Sequence, residues 1–226
     1  MYKLLFVPFL FLLFPASAQR IDVQFGSALP SGSFGNNTLS KSDNSFAQNG
    51  YTAGIQADYP VYKNMGISAK LNYSSFGFNQ SDYQNQLNQT PASATTISVE
   101  SNGGYNSTSA LVGGYMTLGK KRITVDLRLM TGFLTLTDKG LTYTTAYAGQ
   151  EYKETVFSET DMTVAFGWGL TARYNFGDHT YLCLHMDNVN ANTSFRKNNY
   201  QSSSTETLSK PYQAYLVSVG LGYTLQ

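Results

Sequence analysis

The residues best suited to chemistry lie in one short segment of the chain. Cys183 and His185 are two residues apart, on the same face of a predicted strand as Tyr181 and Asp187. A thiol and an imidazole on one strand face are able to bind a metal or to form a thiolate–imidazole pair. The chain contains a single Cys, however, and no third ligand follows at a diagnostic spacing. We therefore predict no catalytic, cofactor-binding or metal site, and we expect the other histidine, His179, to be an exposed turn residue.

Composition and charge limit the fold class that must position these residues. The chain has 226 residues, of which 13% are charged and 14% aromatic, with 20 Gly and a formal net charge of +1. Few charges with many Gly and Tyr disfavour a helical bundle, and one Cys excludes an internal disulfide. The aromatic content is too high for intrinsic disorder, and the absence of a basic block argues against a nucleic-acid partner.

The first eighteen residues have the pattern of a secretory signal peptide. Lys3 supplies the positive charge, an apolar run extends from Leu4 to Phe14, and Ala16, Ser17 and Ala18 fit a peptidase cleavage site. An apolar run of roughly eleven residues is too short for a transmembrane helix, which must cross about 30 Å. We predict a signal peptide at 1–18 and one domain at 19–226.

The rest of the chain alternates large apolar residues with small or polar ones. The pattern is clearest from Ile123 to Phe133, from Met162 to Phe176 and from Tyr215 to Leu225. The second face carries Gly, Ala, Thr and single charges, whereas the outer face of a soluble sandwich is crowded with Lys and Glu. Small residues and a few paired charges suit the lumen of a narrow barrel, so the apolar face is expected to contact lipid.

These segments predict an all-β fold, an eight-stranded antiparallel up-and-down transmembrane β-barrel. Short turns alternate with long polar loops, which is typical of bacterial outer-membrane barrels and places both ends of the domain on the periplasmic side. Within the long loops, Thr96 to Glu100 and Leu141 to Tyr147 are expected to extend the strands above the membrane. The strands are predicted near 21–30, 48–60, 65–77, 104–118, 122–137, 161–176, 180–189 and 212–225. The short turns are 61–64, 119–121 and 177–179, and the long loops are 31–47, 78–103, 138–160 and 190–211.

With this architecture the chain resembles the small Gram-negative outer-membrane β-barrel domain family, a porin-like family with eight-stranded members of the OmpA and OmpX kind. The opening segment 23–35 is similar to the Bacteroidetes-type members. Ser218 to Leu225 matches the family's C-terminal β-signal, and Gln226 departs from it by following the last apolar position. The resemblance implies a cell outer-membrane location, contact with membrane lipids and lipopolysaccharide, and folding by the barrel assembly machinery through the C-terminal strand.

A comparison with outer-membrane lipid A deacylases argues against an enzyme. Those eight-stranded barrels use a His and a Ser two residues later, with an acidic partner. Here Asp187 stands two residues after His185, so no hydroxyl is available to attack an ester. A palmitoyl transferase would need a His near the outer leaflet with supporting polar groups, and the sequence offers no such set. We predict that the protein is not an enzyme.

The remaining polar residues predict a filled lumen and a large outer surface. The lumenal charges are expected to form a paired network rather than a conduction path, because eight strands leave room only for side chains. The loop aromatics are expected to form a recognition surface or a hydrophilic shield. The function expected is structural, surface recognition, or both; the alternatives are a lipid-modifying enzyme or narrow transporter, and a barrel subunit of a secretion machine. The lumenal residues are Gln56, Asp58, Lys70, Asn72, Asp126, Arg128, Arg173 and Asn175. The loop aromatics are Tyr83, Tyr143, Tyr147, Tyr152, Phe195 and Tyr200.

Overall fold

The computed structural model describes residues 19–39, 44–89, 96–120, 122–147, 150–199 and 204–225. The predicted signal peptide at 1–18 and Gln226 lie outside the described residues. Neither helix in the described ranges combines the length and the apolar character needed to cross a membrane. In chain order the elements are β1 (Gln19–Pro30), α1 (Gly32–Gly35), β2 (Ala47–Tyr62), β3 (Met65–Phe78), α2 (Gln80–Gln89), β4 (Thr96–Ser101), β5 (Tyr105–Lys120), β6 (Ile123–Thr137), β7 (Leu141–Tyr147), β8 (Gln150–Val156), β9 (Thr160–Asn175), β10 (Thr180–Asn199) and β11 (Ser204–Leu225).

Eight of these strands close into one antiparallel barrel. The ring order is β1-β11-β10-β9-β6-β5-β3-β2, so each barrel strand pairs with the barrel strands before and after it along the chain. The ring closes where β1 pairs with β11, from Gln19 opposite Leu225 to Pro30 opposite Ala214. The predicted eight-stranded antiparallel up-and-down barrel is therefore confirmed.

The predicted long loop at 190–211 is wrong in extent. β10 continues to Asn199 and β11 begins at Ser204, and the two strands stay in register between these residues. The pairing of β10 with β9 ends at Ala191, so this hairpin extends beyond the ring. This segment is rich in Asn, Ser and Thr, which are typical of loops, so the sequence predicts a loop here. In the structure its residues alternate as in a strand, and Thr193 and Phe195 are buried.

The two predicted strand extensions form strands, but these strands do not lengthen the barrel. Instead β4, β7 and β8 make a separate three-stranded sheet in the order β4-β7-β8, named here the outer sheet. Val99 and Leu141 are buried, whereas the side chains of β8 are exposed or half-buried along the whole strand. The long loops at 78–103 and 138–160 therefore carry a folded layer of their own.

Helix α2 covers the free edge of β4. Three amide side chains of α2 accept hydrogen bonds from alternate backbone N–H groups of β4: Gln80 from Ser101, Gln84 from Val99 and Asn88 from Ile97, at 3.2, 3.4 and 2.9 Å. Four helical residues rise about 6.0 Å and two strand residues about 6.6 Å, so the two spacings match closely. Covering an edge in this way blocks further strand pairing there and leaves β8 as the open edge of the outer sheet.

The outward face of the ring is apolar on every barrel strand. This is the surface that the alternation predicted, and it suits hydrocarbon because the buried charged side chains of the barrel strands turn inward. The exposed side chains include Val23, Phe25, Tyr51, Ile55, Ile67, Leu71, Val112, Leu118, Leu127, Leu129, Phe133, Val164, Phe166, Leu182, Leu184, Val219 and Leu221.

Candidate functional site

Charged side chains fill the half of the lumen nearer the short turns. They lie on the inward face of six strands, and each is at most 5% exposed. We name this set the charged layer: Asp22, Asp58, Lys70, Asp126, Arg128, Arg173, His185 and Asp187. An ion buried so completely is costly unless it is paired, so the partners of each charge decide what the layer can do.

Two ion pairs cross the full width of the barrel. Lys70 on β3 pairs with Asp187 on β10, and Arg173 on β9 pairs with Asp58 on β2. In each case the two strands are four apart around a ring of eight, so they face each other across the lumen. Because these pairs occupy the barrel diameter, they brace opposite walls and leave no open path at this level among the described residues.

Further contacts join the two crossing pairs into one network. Asp187 also accepts a hydrogen bond from Arg128 Nη2 at 2.7 Å, and Arg173 also pairs with Asp126. Gln56 links both groups, since its Nε2 donates to Asp58 at 3.0 Å and its Oε1 accepts from Arg128 Nη1 at 2.7 Å. The predicted paired network is confirmed.

The polar network of the lumen includes two residues that sequence reasoning missed. Asp22 and Gln24 on β1 are buried in the lumen, where Gln24 Oε1 accepts hydrogen bonds from Lys70 at 3.1 Å and from Ser218 at 2.7 Å. The signal was present in the alternation of Asp22 and Gln24 with the outward Val23 and Phe25. Of the predicted lumenal residues, Asn175 is only half-buried and lies at the turn end of β9.

Cys183 and His185 face the lumen, as predicted, and the fold adds Asp22 to them. His185 Nε2 lies 3.1 Å from Cys183 Sγ and 3.2 Å from Asp22 Oδ1. On the other side of the ring, Nδ1 lies 2.8 Å from Thr171 Oγ1. Both the thiol and the carboxylate meet the same imidazole nitrogen, so His185 cannot relay a proton between them as the base of a catalytic triad does.

An aromatic cluster fills the lumen above the charged layer. Phe34, carried by the short helix α1, packs against Phe76, Tyr105 and Tyr212 with ring centroids 5.1, 5.2 and 4.9 Å apart. Gly32 permits this inward turn because its φ of +57° lies in the left-handed region. We name these four rings the aromatic plug. The alternation predicted only small and polar residues inside the barrel, so the plug is a correction to that expectation.

A second buried ion cluster covers the plug. Asp138 pairs with Lys210 at 3.2 Å, and Lys139 Nζ lies 3.9 Å from the ring centroid of Phe78 and 4.3 Å from that of Tyr105. A cation over aromatic faces is stabilised by the ring quadrupole, most strongly where water is excluded. The described lumen is therefore occupied from the short turns to the outer mouth by three sets of side chains: the charged layer, the aromatic plug and this ion cluster.

Three of the six loop aromatics predicted as a recognition surface pack into the fold itself. Phe195 is buried in the apolar core of the lumen, and the hydroxyls of Tyr83 and Tyr143 hydrogen-bond to each other at 2.9 Å. Burial raises the pKa of both tyrosines. Tyr152 stands exposed on β8. Tyr147 is the last residue of β7, and Tyr200 lies outside the described residues.

The C-terminal strand and the last turn have specific packing. Gly222 faces the lumen directly beneath the Tyr181 ring, and a Cβ atom at that position would overlap the ring. His179 lies in the turn between β9 and β10, as predicted, but it is half-buried rather than exposed. Its ring stacks on Tyr223 at 5.5 Å, and its carbonyl accepts a hydrogen bond from the Thr224 N–H at 2.7 Å.

Comparison with known proteins gives solved structures of similar fold at low sequence identity. No family model matches the chain, and no curated protein does. Neisserial surface protein A is 10% identical with a TM-score of 0.46, over 91% of this chain and 96% of its own. Ail of Yersinia pestis is 13% identical with a TM-score of 0.43, over 92% and 97%. A major outer-membrane protein from Thermus thermophilus is 10% identical with a TM-score of 0.47, over 92% and 100%. At these values the likeness concerns the fold alone.

The chain has the fold of a small outer-membrane β-barrel. The closed ring of eight strands and the apolar face on every one of them carry this statement. Barrels of this construction span bacterial outer membranes, because closure satisfies every backbone hydrogen bond within the hydrocarbon. The predicted outer-membrane location agrees with this architecture.

Proposed function

We propose that this barrel is a non-enzymatic integral outer-membrane protein that presents the outer sheet at the cell surface for structural shielding and recognition. The observation that carries the proposal is the contrast between a lumen packed with buried, paired side chains and an outer sheet whose strand β8 is exposed. A filled lumen supports neither transport nor access of a lipid ester to Cys183 and His185. The exposed strand β8, with Tyr152 and the following Phe157, supports a role at the outer surface.

The partners proposed follow from the two surfaces of the barrel. The apolar band would contact membrane lipids and, on the outer side, lipopolysaccharide. The C-terminal strand β11, with Ser218, Gly220, Tyr223 and Leu225 in the order of the β-signal, would be read by the barrel assembly machinery. A role as a subunit of a secretion machine remains the second candidate, because the open edge of β8 would also suit a strand from another protein.

Cysteine labelling on intact cells tests the orientation and exposure of the outer sheet. Cys183 is the chain's one Cys and is buried, so it supplies an internal negative control. A membrane-impermeant maleimide should label a Tyr152→Cys variant on intact cells. The same maleimide should label an Asp178→Cys variant, in the turn between β9 and β10, only after the outer membrane is permeabilised. The reverse pattern would contradict the proposal.

Two assays on the purified barrel test the remaining parts. In planar bilayers the protein should show no steady conductance, and in lipopolysaccharide vesicles it should release no fatty acid. Either activity, if lost in His185→Ala, would replace the proposal with the transporter or lipid-enzyme alternative.

Recognition is measured by binding of the purified barrel to an array of glycans and matrix proteins. A signal lost in a Tyr152→Ala, Phe157→Ala double variant supports recognition, and no signal from the wild type leaves shielding alone.

A further inference from the structure

We propose that Asp22, Cys183 and His185 form a buried binding site for a zinc-type cation inside the barrel. The three side chains come from opposite ends of the chain and meet only because β1 and β10 both pair with β11. Their ligand atoms, a carboxylate oxygen, a thiol sulfur and an imidazole nitrogen, lie within 4.8 Å of one another. This donor set suits Zn²⁺ and other borderline or soft cations better than Mg²⁺ or Ca²⁺.

The spacing of the other two donor atoms from His185 Nε2 is close to that around a tetrahedral ion. Zinc bonds of about 2.0–2.3 Å at tetrahedral angles separate neighbouring ligand atoms by about 3.3–3.6 Å. His185 Nε2 lies 3.1 Å from Cys183 Sγ and 3.2 Å from Asp22 Oδ1. The two distances from His185 would therefore need to widen by only a few tenths of an ångström. The third separation, between Cys183 Sγ and the Asp22 carboxylate, lies within 4.8 Å and would settle at about 3.5 Å in a tetrahedral site, so the site closes by side-chain adjustment on that side. Three protein ligands leave the fourth position for a small molecule such as water.

The carboxylate of Asp22 is aimed into this site without a full complement of partners. It is 1% exposed, and its Oδ1 has no hydrogen-bond donor in bonding geometry among the described residues. The other three acids of the charged layer each pair with Lys or Arg, whereas Asp22 pairs in the described chain with His185 alone. A buried carboxylate without a cation is costly, and a bound metal ion would compensate for it.

A second shell is already in place around the three ligands. Thr171 Oγ1, 2.8 Å from His185 Nδ1, can accept the ring N–H and so direct Nε2 toward the ion. The Tyr181 hydroxyl donates to Asp22 Oδ2 at 3.3 Å and orients the carboxylate. Gly220 leaves room for the sulfur, since a Cβ atom there would lie 2.9 Å from Cys183 Sγ. Outer-shell groups of this kind are characteristic of built metal sites.

The charges balance when zinc binds. Lys70 and Arg128 lie close by, but both already pair with Asp187. Binding of Zn²⁺ would release the thiol proton of Cys183 to solvent. Two positive charges would then meet one carboxylate and one thiolate, which leaves the ligand set neutral.

Metal analysis of the full-length protein, purified from outer membranes in detergent, tests the site. After chelation and refolding with Zn²⁺ or Co²⁺, the wild type should bind a single ion per folded chain. Co²⁺ should add a thiolate-to-cobalt charge-transfer band in the near ultraviolet. Asp22→Asn and Cys183→Ala should weaken binding by more than about a hundredfold, and Thr171→Val by about ten- to a hundredfold. Ser218→Ala, directly opposite His185 on β11, is the matched control and should bind as the wild type does.

Folding is checked separately by heat-modifiable gel migration, so that loss of metal is not confused with loss of the barrel. Asp22→Asn is nearly isosteric and keeps this check available if Cys183→Ala folds poorly. The proposal is overturned if the folded wild type binds neither ion, or if the cobalt band persists in Cys183→Ala. Equal binding of Mg²⁺ or Ca²⁺ would also overturn it. These readouts do not depend on the outer sheet or on any surface role.

Discussion

Asn88 on α2 and Ile97 on β4 exchange two hydrogen bonds, as two paired strand residues would. The backbone N–H of Ile97 donates to Asn88 Oδ1 at 2.9 Å, and Asn88 Nδ2 donates to the Ile97 carbonyl at 3.1 Å. The asparagine amide thus takes the place of a neighbouring strand at the edge of the outer sheet. This contact holds the helix against the sheet on the outer side of the barrel.

Replacement of Asn88 by Ala should loosen the outer sheet without affecting the barrel. Each lost hydrogen bond contributes about 0.5–1.5 kcal/mol, and the loss falls on a small unit at the rim. We expect faster amide hydrogen exchange at Ile97 and faster proteolysis of the loop at 78–103, with unchanged heat-modifiable migration. Asn85→Ala, at an exposed position of the same helix, should change neither.

Removal of Arg173 should destabilise the barrel strongly. Asp58 and Asp126 share this guanidinium, so Arg173→Met would leave two buried carboxylates without their cation. The expected loss is about 3–5 kcal/mol in the free energy of unfolding, measured by urea titration in detergent. Lys153→Met, on exposed β8, should cost nothing measurable. If Asp58→Asn and Asp126→Asn fail to recover stability in the Arg173→Met background, the charge argument is wrong.

Truncation of Phe34 should weaken the barrel but leave it closed. The Phe34 ring is fully buried in the aromatic plug, and replacing it with Ala should cost about 3–5 kcal/mol of unfolding free energy. Conductance should stay absent because the charged layer beneath still fills the lumen. Phe157→Ala, which removes an exposed ring, should leave stability unchanged. Steady ion current through Phe34→Ala would show that the plug alone keeps the lumen shut.

A methyl group at Gly222 should interfere with closure of the ring. Gly222→Ala places a Cβ atom where the Tyr181 ring lies, and overpacking of this kind costs about 1–3 kcal/mol. The folded fraction in a heat-modifiable gel should fall, and Tyr181→Ala should restore part of it. Gly114→Ala, on the outward face of β5 with no atom closer than 3.9 Å, is the matched control. Equal folding of both glycine variants would contradict the packing argument.

A charge on the apolar face should be costly only where lipid surrounds it. Leu129 on β6 is 74% exposed at the middle of its strand, so Leu129→Arg should lose about 2–4 kcal/mol in a bilayer. Tyr152→Arg on the outer sheet should lose almost nothing, because water surrounds β8. Urea unfolding in lipid vesicles measures both. If Leu129→Arg left the free energy of unfolding unchanged, this face would be in contact with water rather than lipid.

Period-two alternation was enough to predict the barrel. Lipid on the outer face selects large apolar side chains, whereas a narrow lumen selects small or polar ones. From Ile123 to Phe133 the predicted inward and outward faces agree with the structure, although the apolar Met130 faces the lumen and the polar Thr131 faces outward. The outer sheet escaped prediction, since pairing of Val99 with Tyr143 joins segments that no local pattern relates. The alternation on β1 was enough to place Asp22 in the lumen, but its contact with His185 depends on the stagger of the strands around the ring and could not be predicted.

All eight barrel strands contribute a hydrogen-bonding or charged group to the buried polar network. Thr117 of β5 donates a hydrogen bond to Asp126 at 2.7 Å, and Ser218 of β11 donates one to Gln24. These two bonds connect β5 and β11 to the network that the other six strands form. A partly inserted sheet would therefore hold charged side chains inside the bilayer without their oppositely charged partners. Each crossing pair forms only when the strands that carry both partners are in place, so partly assembled sheets that separate Lys70 from Asp187, or Arg173 from Asp58, are disfavoured inside the bilayer.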